Sequence, residues 1–475
     1  MTKKLSPFIF LLTAITIFSS CKKWSDEKTD LYQYVPPPAK PIDDANPLCG
    51  SISGTMLAGK TYTIGCDVQI NPGDSLVIEP GVKIIVKNQA GILVKGNLYS
   101  LGTKAQPIYF TVDGLTKTDD PTLNYSASKD SAFIGKWKGI LADASCKYLI
   151  FKWTHLEYCG ALLGNTFAPI LGLASTDPSY AVYFQNAAGY FVFEDSWIYG
   201  TVDDAIRVAG SGGQFAIYRS TFEKCGKSGG DVLNVKAGAL GDMGYNFFIG
   251  CATNALKAAN SGSGPGIANC EVRMFNNTVV NCGYRQTKSG RGGSINFEKL
   301  CYGMAFNNLL INNKYGLRLS SDIPDTNYLY KNNYGYNFYW ADNITVANQI
   351  FPFTPGAVTK PVATDIPNPF GYLPANYNYT PCVAYDGTKA VQYSNPQFYN
   401  YPLPIQGGYA MSDINAVGKF KFTINANSPC IGKGYTNFSG LKLIPVDAKY
   451  GITSYSEPGK DLGCFQFDGA GNQHF

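Results

Sequence analysis

Histidine is the scarcest chemically versatile residue in this chain: its 475 residues include two, His155 and His474. His155 falls in a predicted strand and His474 is penultimate, and the sequence offers no Ser–His or Cys–His arrangement for nucleophilic catalysis. No His-x-x-x-His and no Cys-x-x-Cys spacing occurs, so no metal site and no cofactor are expected. Charge is sparse too, at 15% of residues, low for a helical solenoid and ordinary for a tightly wound β one. The net charge of +5 falls to +3 once Lys3 and Lys4 are removed with a leader, too little to argue for a nucleic-acid partner. The apolar run Pro7 to Phe18 is too short to span a bilayer.

What the chain has in quantity is Gly (51), Pro (27), Tyr (33) and Phe (28), a mixture favouring many turns and β-strands. One phrase returns: Leu156-Glu157-Tyr158-Cys159-Gly160, Phe222-Glu223-Lys224-Cys225-Gly226 and Val279-Val280-Asn281-Cys282-Gly283, with a degenerate copy at Phe247-Phe248-Ile249-Gly250-Cys251. Short second strands recur at Ala205–Val208, Val232–Lys236, Ala255–Ala258, Ser294–Glu298 and Gly316–Ser320. Neighbouring late copies lie roughly 25 to 31 residues apart, the interval at which repeat proteins stack one unit on the next. Each unit is too short for a helix plus its connections, so stacked parallel strands are expected.

The amino terminus is a targeting segment. Phe18-Ser19-Ser20-Cys21, closing the apolar run, resembles the lipobox of bacterial lipoproteins. That resemblance implies a signal peptide over 1–20 and an acylated Cys21, with acyl chains contributing ~0.8 kcal/mol per buried CH₂ to an outer-membrane anchor. Residues 21–48, polar and Pro-rich, read as a spacer. Ser25-Asp26-Glu27 faintly resembles the surface-export signal of Bacteroidetes lipoproteins, which implies a cell-surface-facing side.

From residue 49 alternating strands begin, broken by Asn71-Pro72-Gly73-Asp74 and Glu79-Pro80-Gly81. Leu76–Val82, Ile92–Leu98, Gly102-Thr103, Pro107–Thr111, Trp137–Ile140 and His155–Gly160 resemble the opening of right-handed parallel β-helix proteins secreted by Bacteroidetes. Ser394–Phe398, Asn427–Gly434 and Asp461–Phe467 are similar to the carboxyl-terminal cap of that family. The resemblance implies an all-β, single-stranded right-handed parallel β-helix over 49–475. Its parts are N-terminal coils (49–160), regular coils (161–320), a loop-rich insertion (321–405) and a C-terminal cap (406–475) that hides the last sheet edge.

Candidate functional residues follow from strand alternation. With Ile206, Val208, Leu233, Val235, Leu256, Ile295, Phe297, Leu317 and Leu319 inward, the residues Arg207, Asn234, Lys257, Asn296 and Arg318 form one outward column. Tyr334, Tyr336 and Trp340 in the adjoining aromatic run would stack on sugar rings; the plainer reading is that they cover a coil as core. Asn276-Asn277, Asn307-Asn308 and Asn332-Asn333 recur near turns and read as a structural ladder. Asp203-Asp204 resembles the paired Asp of polygalacturonase-like hydrolases, without their Gly-His-Gly phrase; its plainer reading is a turn entering a strand. A lyase needs a Lys or Arg base and a cation or calcium for a uronate; Arg207, Lys236 and Lys257 near Asp204 and Asp231 supply the residue types, and the plainer reading is an ordinary solvated polar face.

Removing Cys21 leaves twelve cysteines, an even number. Cys159, Cys225 and Cys282 share a repeat position and are expected to fill inward corners. Cys430 and Cys464 stand where the family's cap carries Ala, so the resemblance implies a staple between them; Cys49 and Cys66 are a second expected pair. The sequence thus reads as a non-catalytic outer-membrane lipoprotein that binds a glycan or a partner protein, possible accessory subunit of an outer-membrane complex; the alternative is a polysaccharide lyase or glycoside hydrolase acting on a uronate polymer. The anchor is tested directly. Cys21→Ala releases the protein from the membrane fraction, and retention after salt and carbonate washing refutes the lipoprotein assignment.

Overall fold

The computed structural model describes residues 40–117, 130–260, 269–288, 291–299, 301–319, 332–340, 384–385, 390–391, 396–400, 421–447, 450 and 455–474. The expected signal peptide, Cys21 and most of the spacer lie outside the described residues, as does most of the loop-rich section 321–405. The body starts earlier than residue 49: Pro41 bridges Thr55, and the Thr55 N–H donates to the Lys40 carbonyl at 2.7 Å.

The described chain is almost all β, in parallel sheets of 19 and 10 strands. Through its regular middle, each strand pairs in parallel with the third strand after it. Tyr190–Glu194 pairs with Gln214–Tyr218, then Leu240–Gly244, Glu271–Phe275, Tyr302–Phe306 and Asn332–Gly335. Trp197–Thr201 leads through Thr221–Glu223, Phe247–Ile249, Thr278–Val280 and Leu309–Ile311 to Phe338–Trp340. Ile206–Val208 leads through Leu233–Lys236, Leu256–Ala259 and Ile295–Glu298 to Leu317–Leu319. This layout is compatible with a parallel β-helix. One helix, Gly164–Leu171, interrupts the section expected to be regular strands throughout. No helix among the described residues is long and apolar enough to cross a membrane.

Parallel strands this short need their corners secured. One corner residue per layer sits at positive φ: Trp153, Asp195, Arg219, Tyr245, Asn276, Asn307 and Tyr336. The residue after each one forms a buried ladder. The backbone N–H of Thr154 donates to Ser196 Oγ, Ser196 to Ser220 Oγ and Ser220 to Asn246 Oδ1 at 3.0–3.2 Å. Asn246, Asn277 and Asn308 continue it to Asn277, Asn308 and Asn337 Oδ1 at 2.9–3.0 Å. Each Asn amide also donates inward to a carbonyl, Asn277 Nδ2 to Met243 O at 3.0 Å. The ladder therefore includes Ser and Thr rungs not read from sequence, and its last rung among the described residues is Asn337. Asn332 and Asn333 lie in a strand instead.

A second corner carries the cysteines. Cys159, Cys225 and Cys282 are buried in the main core, as expected, and Cys251 joins them, with Thr201 and Asn313 completing their column. Gly226 N–H donates to Thr201 Oγ1 and Cys282 N–H to Asn313 Oδ1. Cys49 and Cys66 form a disulfide, Cα to Cα 5.1 Å, clipping the edge strand Leu48–Ser51 to Thr61–Ile70. The expected Cys430–Cys464 staple is not made. The two phrases do pack together, Leu462 N–H donating to Cys430 O at 3.1 Å, but Cys464 is a buried thiol that hydrogen-bonds Thr278.

The carboxyl-terminal phrases also differ from an end cap. Their described residues run along the flank, over the positive-φ corners. Asn276 Nδ2 donates to Asp461 O, Tyr435 N–H to Asn307 Oδ1 and Tyr245 Oη to Glu457 O, while Tyr336 stacks on Tyr435. These corners expose polar backbone and aromatic side chains, and a lateral strap satisfies both. The strap also brings the two histidines together, ring centroids 6.1 Å apart. His474 stacks on Trp197, its Nδ1 2.7 Å from Thr221 Oγ1 and its Nε2 3.1 Å from Asp195 O. Burial lowers His474 to about 4 and lowers His155 well below the ordinary range.

Two predictions follow from these contacts. Asn277→Ala strips a rung and leaves the Asn246 N–H and the Met243 carbonyl unmet. It should cost about 3 kcal/mol in urea denaturation, against less than about 0.5 for exposed Lys87→Ala. The buried neutral histidines make stability full above the unfolded value near ~6.5 and falling as pH drops toward the folded values, because the unfolded chain then binds more protons. Each histidine should contribute a slope of ~1.4 kcal/mol per pH unit, and His474→Gln should flatten the urea midpoint's fall between about pH 7 and pH 5.

Candidate functional site

The outward column is real and in register: Arg207 pairs with Asn234, Asn234 with Lys257, Lys257 with Asn296, and Asn296 with Arg318. It is not a solvated face. Asn234 and Arg318 are 2% and 3% exposed and Asn296 is fully buried, while Arg207 and Lys257 are half-buried. Above Arg207 the column continues as apolar positions, Tyr183, Leu141 and Leu93 in successive register. The helix Gly164–Leu171 covers these, with Phe167 and Ala168 buried in a cluster containing Leu93, Leu141, Tyr180 and Tyr183. Below Tyr183 that cover ends, and the column opens into a cavity of about 250 Å³.

Asp203, Asp204, Asp231 and Lys236, read separately as a possible catalytic group, line this same cavity with Arg207, Asn234 and Lys257. Their positions come from a phrase repeated just before each strand of the third column: Asp204-Ala-Ile-Arg207, Asp231-Val-Leu-Asn234 and Asn254-Ala-Leu-Lys257. The first residue of each phrase bonds the next layer. Asp231 N–H donates to Asp204 Oδ1 and Asn254 Nδ2 to Asp231 Oδ1, both at 2.7 Å. The last residue of each phrase bonds back. Arg207 Nε donates to Asp204 Oδ2 at 2.7 Å, Asn234 Nδ2 reaches the same oxygen at 2.8 Å, and Lys257 Nζ lies 3.1 Å from Asp231. The Arg207 guanidinium also lies 4.1 Å from the Tyr180 ring centroid. Gly230, at φ +88°, lets the chain pass under Asp203, where a Cβ would come within 2.5 Å of the Asp203 carbonyl carbon.

The electrostatics divide the charged groups into two sets. Burial alone would raise Asp231, but Lys257 and the Asn254 amide bring it below the usual carboxylate range. Burial works against the Lys257 charge, and Asp231 and Glu298 hold it above the ordinary lysine value. Those groups are committed to one another. Lys236, Lys288 and Arg291 line the same cavity and make no ion pair among the described residues. Burial, with Arg207 and Lys257 nearby, lowers Lys236. Asp203 is pushed up to about 7 by burial and by the Asp204 carboxylate. Two buried amide oxygens, Asn234 Oδ1 and Asn254 Oδ1, have no donor among the described residues.

Asn296 and Arg318 share the column without lining the cavity; the Asn296 amide instead donates to Glu298 Oε1 at 2.6 Å. Tyr334, Tyr336 and Trp340 do not form a sugar platform. Tyr334 is buried in the main core, Trp340 is buried beneath the flank, and Tyr336 is half-buried against Tyr435. Thr253, Asn254, Gln286, Lys288, Arg291 and Glu298 were not read as site residues from the sequence. Asn254 carried a usable signal, its place in the repeated phrase, whereas Gln286, Lys288 and Arg291 arrive from a long connection without periodicity. No metal-binding group of His, Cys, Asp and Glu occurs among the described residues. In comparisons with known proteins the chain matches no family model, no curated protein and no solved structure.

Proposed function

We propose that this chain is a non-catalytic lipoprotein of the outer membrane, anchored through Cys21, whose right-handed single-stranded parallel β-helix binds an acidic glycan in the cavity beside Asn234 and Lys257. It belongs, on this reading, with the secreted β-helix proteins of Bacteroidetes that its opening and closing phrases resemble. The observation that carries the reading is the lining itself. Three cations that make no ion pair among the described residues stand beside buried amide oxygens that have no donor among them, a complement to a ligand bearing both negative charge and hydroxyl groups. The cavity is smaller than the ~300–1,000 Å³ of drug-sized sites, which suits one sugar unit or a chain end rather than a long stretch of polymer. Asp204 and Asp231 are spent on Arg207, Asn234, Asn254 and Lys257, so they support the site and are not available as nucleophiles or bases.

One observation favours a second reading. A carboxyl group near 7 and a lysine of lowered basicity line one cavity, residue types that a polysaccharide lyase or glycoside hydrolase acting on a uronate polymer requires, with calcium as an aid to the lyase. A glycan array probed with the protein lacking its first 21 residues separates the readings when combined with ultraviolet detection of unsaturated uronates for a lyase and a reducing-end assay for a hydrolase. Acidic glycans should bind and neutral ones should not. Lys288→Ala with Arg291→Ala, both exposed, should weaken binding roughly tenfold or more while changing stability by less than about 0.5 kcal/mol. Release of unsaturated product, or of new reducing ends, would overturn the non-catalytic assignment.

A further inference from the structure

We infer that Asp203 is a proton-dependent gate on this cavity: a ligand carboxylate enters only when the Asp203 side chain carries a proton, and Lys236 supplies the positive charge that then holds it. The inference rests on the acidic-glycan reading and adds to it a specificity residue and a coupling to pH.

The geometry supplies the reason. Asp203 lines the cavity, and its Oδ1 accepts the Asp204 N–H at 2.9 Å. No cation bonds its carboxylate among the described residues. The nearest guanidinium, Arg207, is committed to Asp204 and to the Tyr180 ring. Lys257 is committed to Asp231 and Glu298, at 3.1 and 3.3 Å. The charged groups facing Asp203 are therefore Asp204 and Arg207 from its own layer, Asp231 and Lys236 from the next, and Lys257 and Glu298 beyond; Lys288 and Arg291 stand at the exposed side. An ionised Asp203 would oppose an entering carboxylate inside a partly desolvated cavity. Two carboxylates in such a place are held together by sharing a proton. The elevation of Asp203 to about 7, caused first by burial and then by Asp204, places that proton within the neutral range before any ligand arrives.

Lys236 completes the device. It is half-buried, lines the cavity, and has no ion-pair partner among the described residues. Burial first, and then the positive field of Arg207 and Lys257, lowers it, and an anion bound beside it would offset that field. Lys288 and Arg291 are exposed and screened, so they guide the ligand more than they discriminate.

The probe is sodium D-glucuronate, with D-glucose as the neutral control, followed by isothermal titration calorimetry between about pH 6 and pH 8.5. Wild-type affinity for glucuronate should fall about tenfold per pH unit above the Asp203 midpoint, with uptake of close to one proton per ligand. Asp203→Asn should bind with a pH-independent constant. Lys236→Arg, which cannot lose its charge in this range, should keep the pH step, and Lys236→Ala should lose roughly tenfold affinity or more throughout. A step that persists in Asp203→Asn, or that vanishes in Lys236→Arg, assigns the proton elsewhere and overturns the inference. Flat wild-type affinity overturns it as well, while leaving the binding reading intact if Lys288→Ala still weakens binding. Absence of glucuronate binding at every pH, with Lys288→Ala changing nothing, overturns both. Thermal midpoints of each variant, measured alongside, confirm that a lost signal is not lost fold.

Discussion

The structure depends on how a parallel strand of three to five residues turns a corner. Such a strand makes few backbone bonds, and just past the positive-φ corner the next residue's N–H needs a partner. Here that N–H is met by the side chain of the equivalent residue one layer on, from Thr154 through Ser196, Ser220, Asn246, Asn277 and Asn308 to Asn337. A buried unpaired N–H costs about 1–3 kcal/mol, so every layer is tied to its neighbour by a bond that only one register can make. The residue before each rung is held at positive φ, a conformation costing non-glycine residues roughly 1–2 kcal/mol. The ladder and the lateral strap together keep those corners in place, and the strap's contacts fall on the same residues, Asn276 and Asn307 among them.

Fixed register at the corner has its consequence on the opposite column. Because layers cannot slip, Asp204, Asp231 and Asn254 stand one above another, and each bonds the next as the ladder residues do. The same device thus appears twice, once with neutral amides and hydroxyls at the corner and once with buried carboxylates beside the cavity. At the corner it involves no charge. Beside the cavity it absorbs Asp204, Asp231 and their partners, and leaves Lys236, Lys288 and Arg291 without an ion pair among the described residues. The cavity occupies the place where the helix Gly164–Leu171 stops covering the column, and Tyr180 marks the edge, apolar on one side and under Arg207 on the other.

Much of this was legible in the sequence, for identifiable reasons. Period-two alternation put Arg207, Asn234, Lys257, Asn296 and Arg318 in one column, and all four pairings hold, because alternation needs only local geometry and a known stacking period. Alternation does not report depth, so a column read as open face proved half-buried. The aromatic run failed for a related reason. Tyr334 and Trp340 lie on strands like those before them, and nothing in composition distinguishes an inward Tyr from an outward one once the flanking repeat has faded. The ladder was seen where its rungs are Asn and missed where they are Thr and Ser, since hydroxyls do the same work without forming a visible motif. Cys430 and Cys464 lie in phrases that do pack together, but a staple depends on where each sulfur points, and the Cys464 thiol is turned to Thr278.

The modest net charge of the chain conceals how unevenly charge is used. Along the flank, Arg219 is surrounded by Glu194, Asp195 and Ser456, and Lys152 also reaches Glu194, so these two cations and two carboxylates meet one another. At the cavity the count does not balance: five cations, Arg207, Lys236, Lys257, Lys288 and Arg291, face the carboxylates Asp204, Asp231 and Glu298 with Asp203 near neutrality. Concentrating an unpaired excess in a concave, partly desolvated place is costly for the folded chain, because like charges repel more strongly there than over open surface. A surplus distributed this way is worth its cost where an anion supplied from outside completes the set. That is the physical ground for reading the cavity as a binding site and the flank as structure, although both are built from the same residue types.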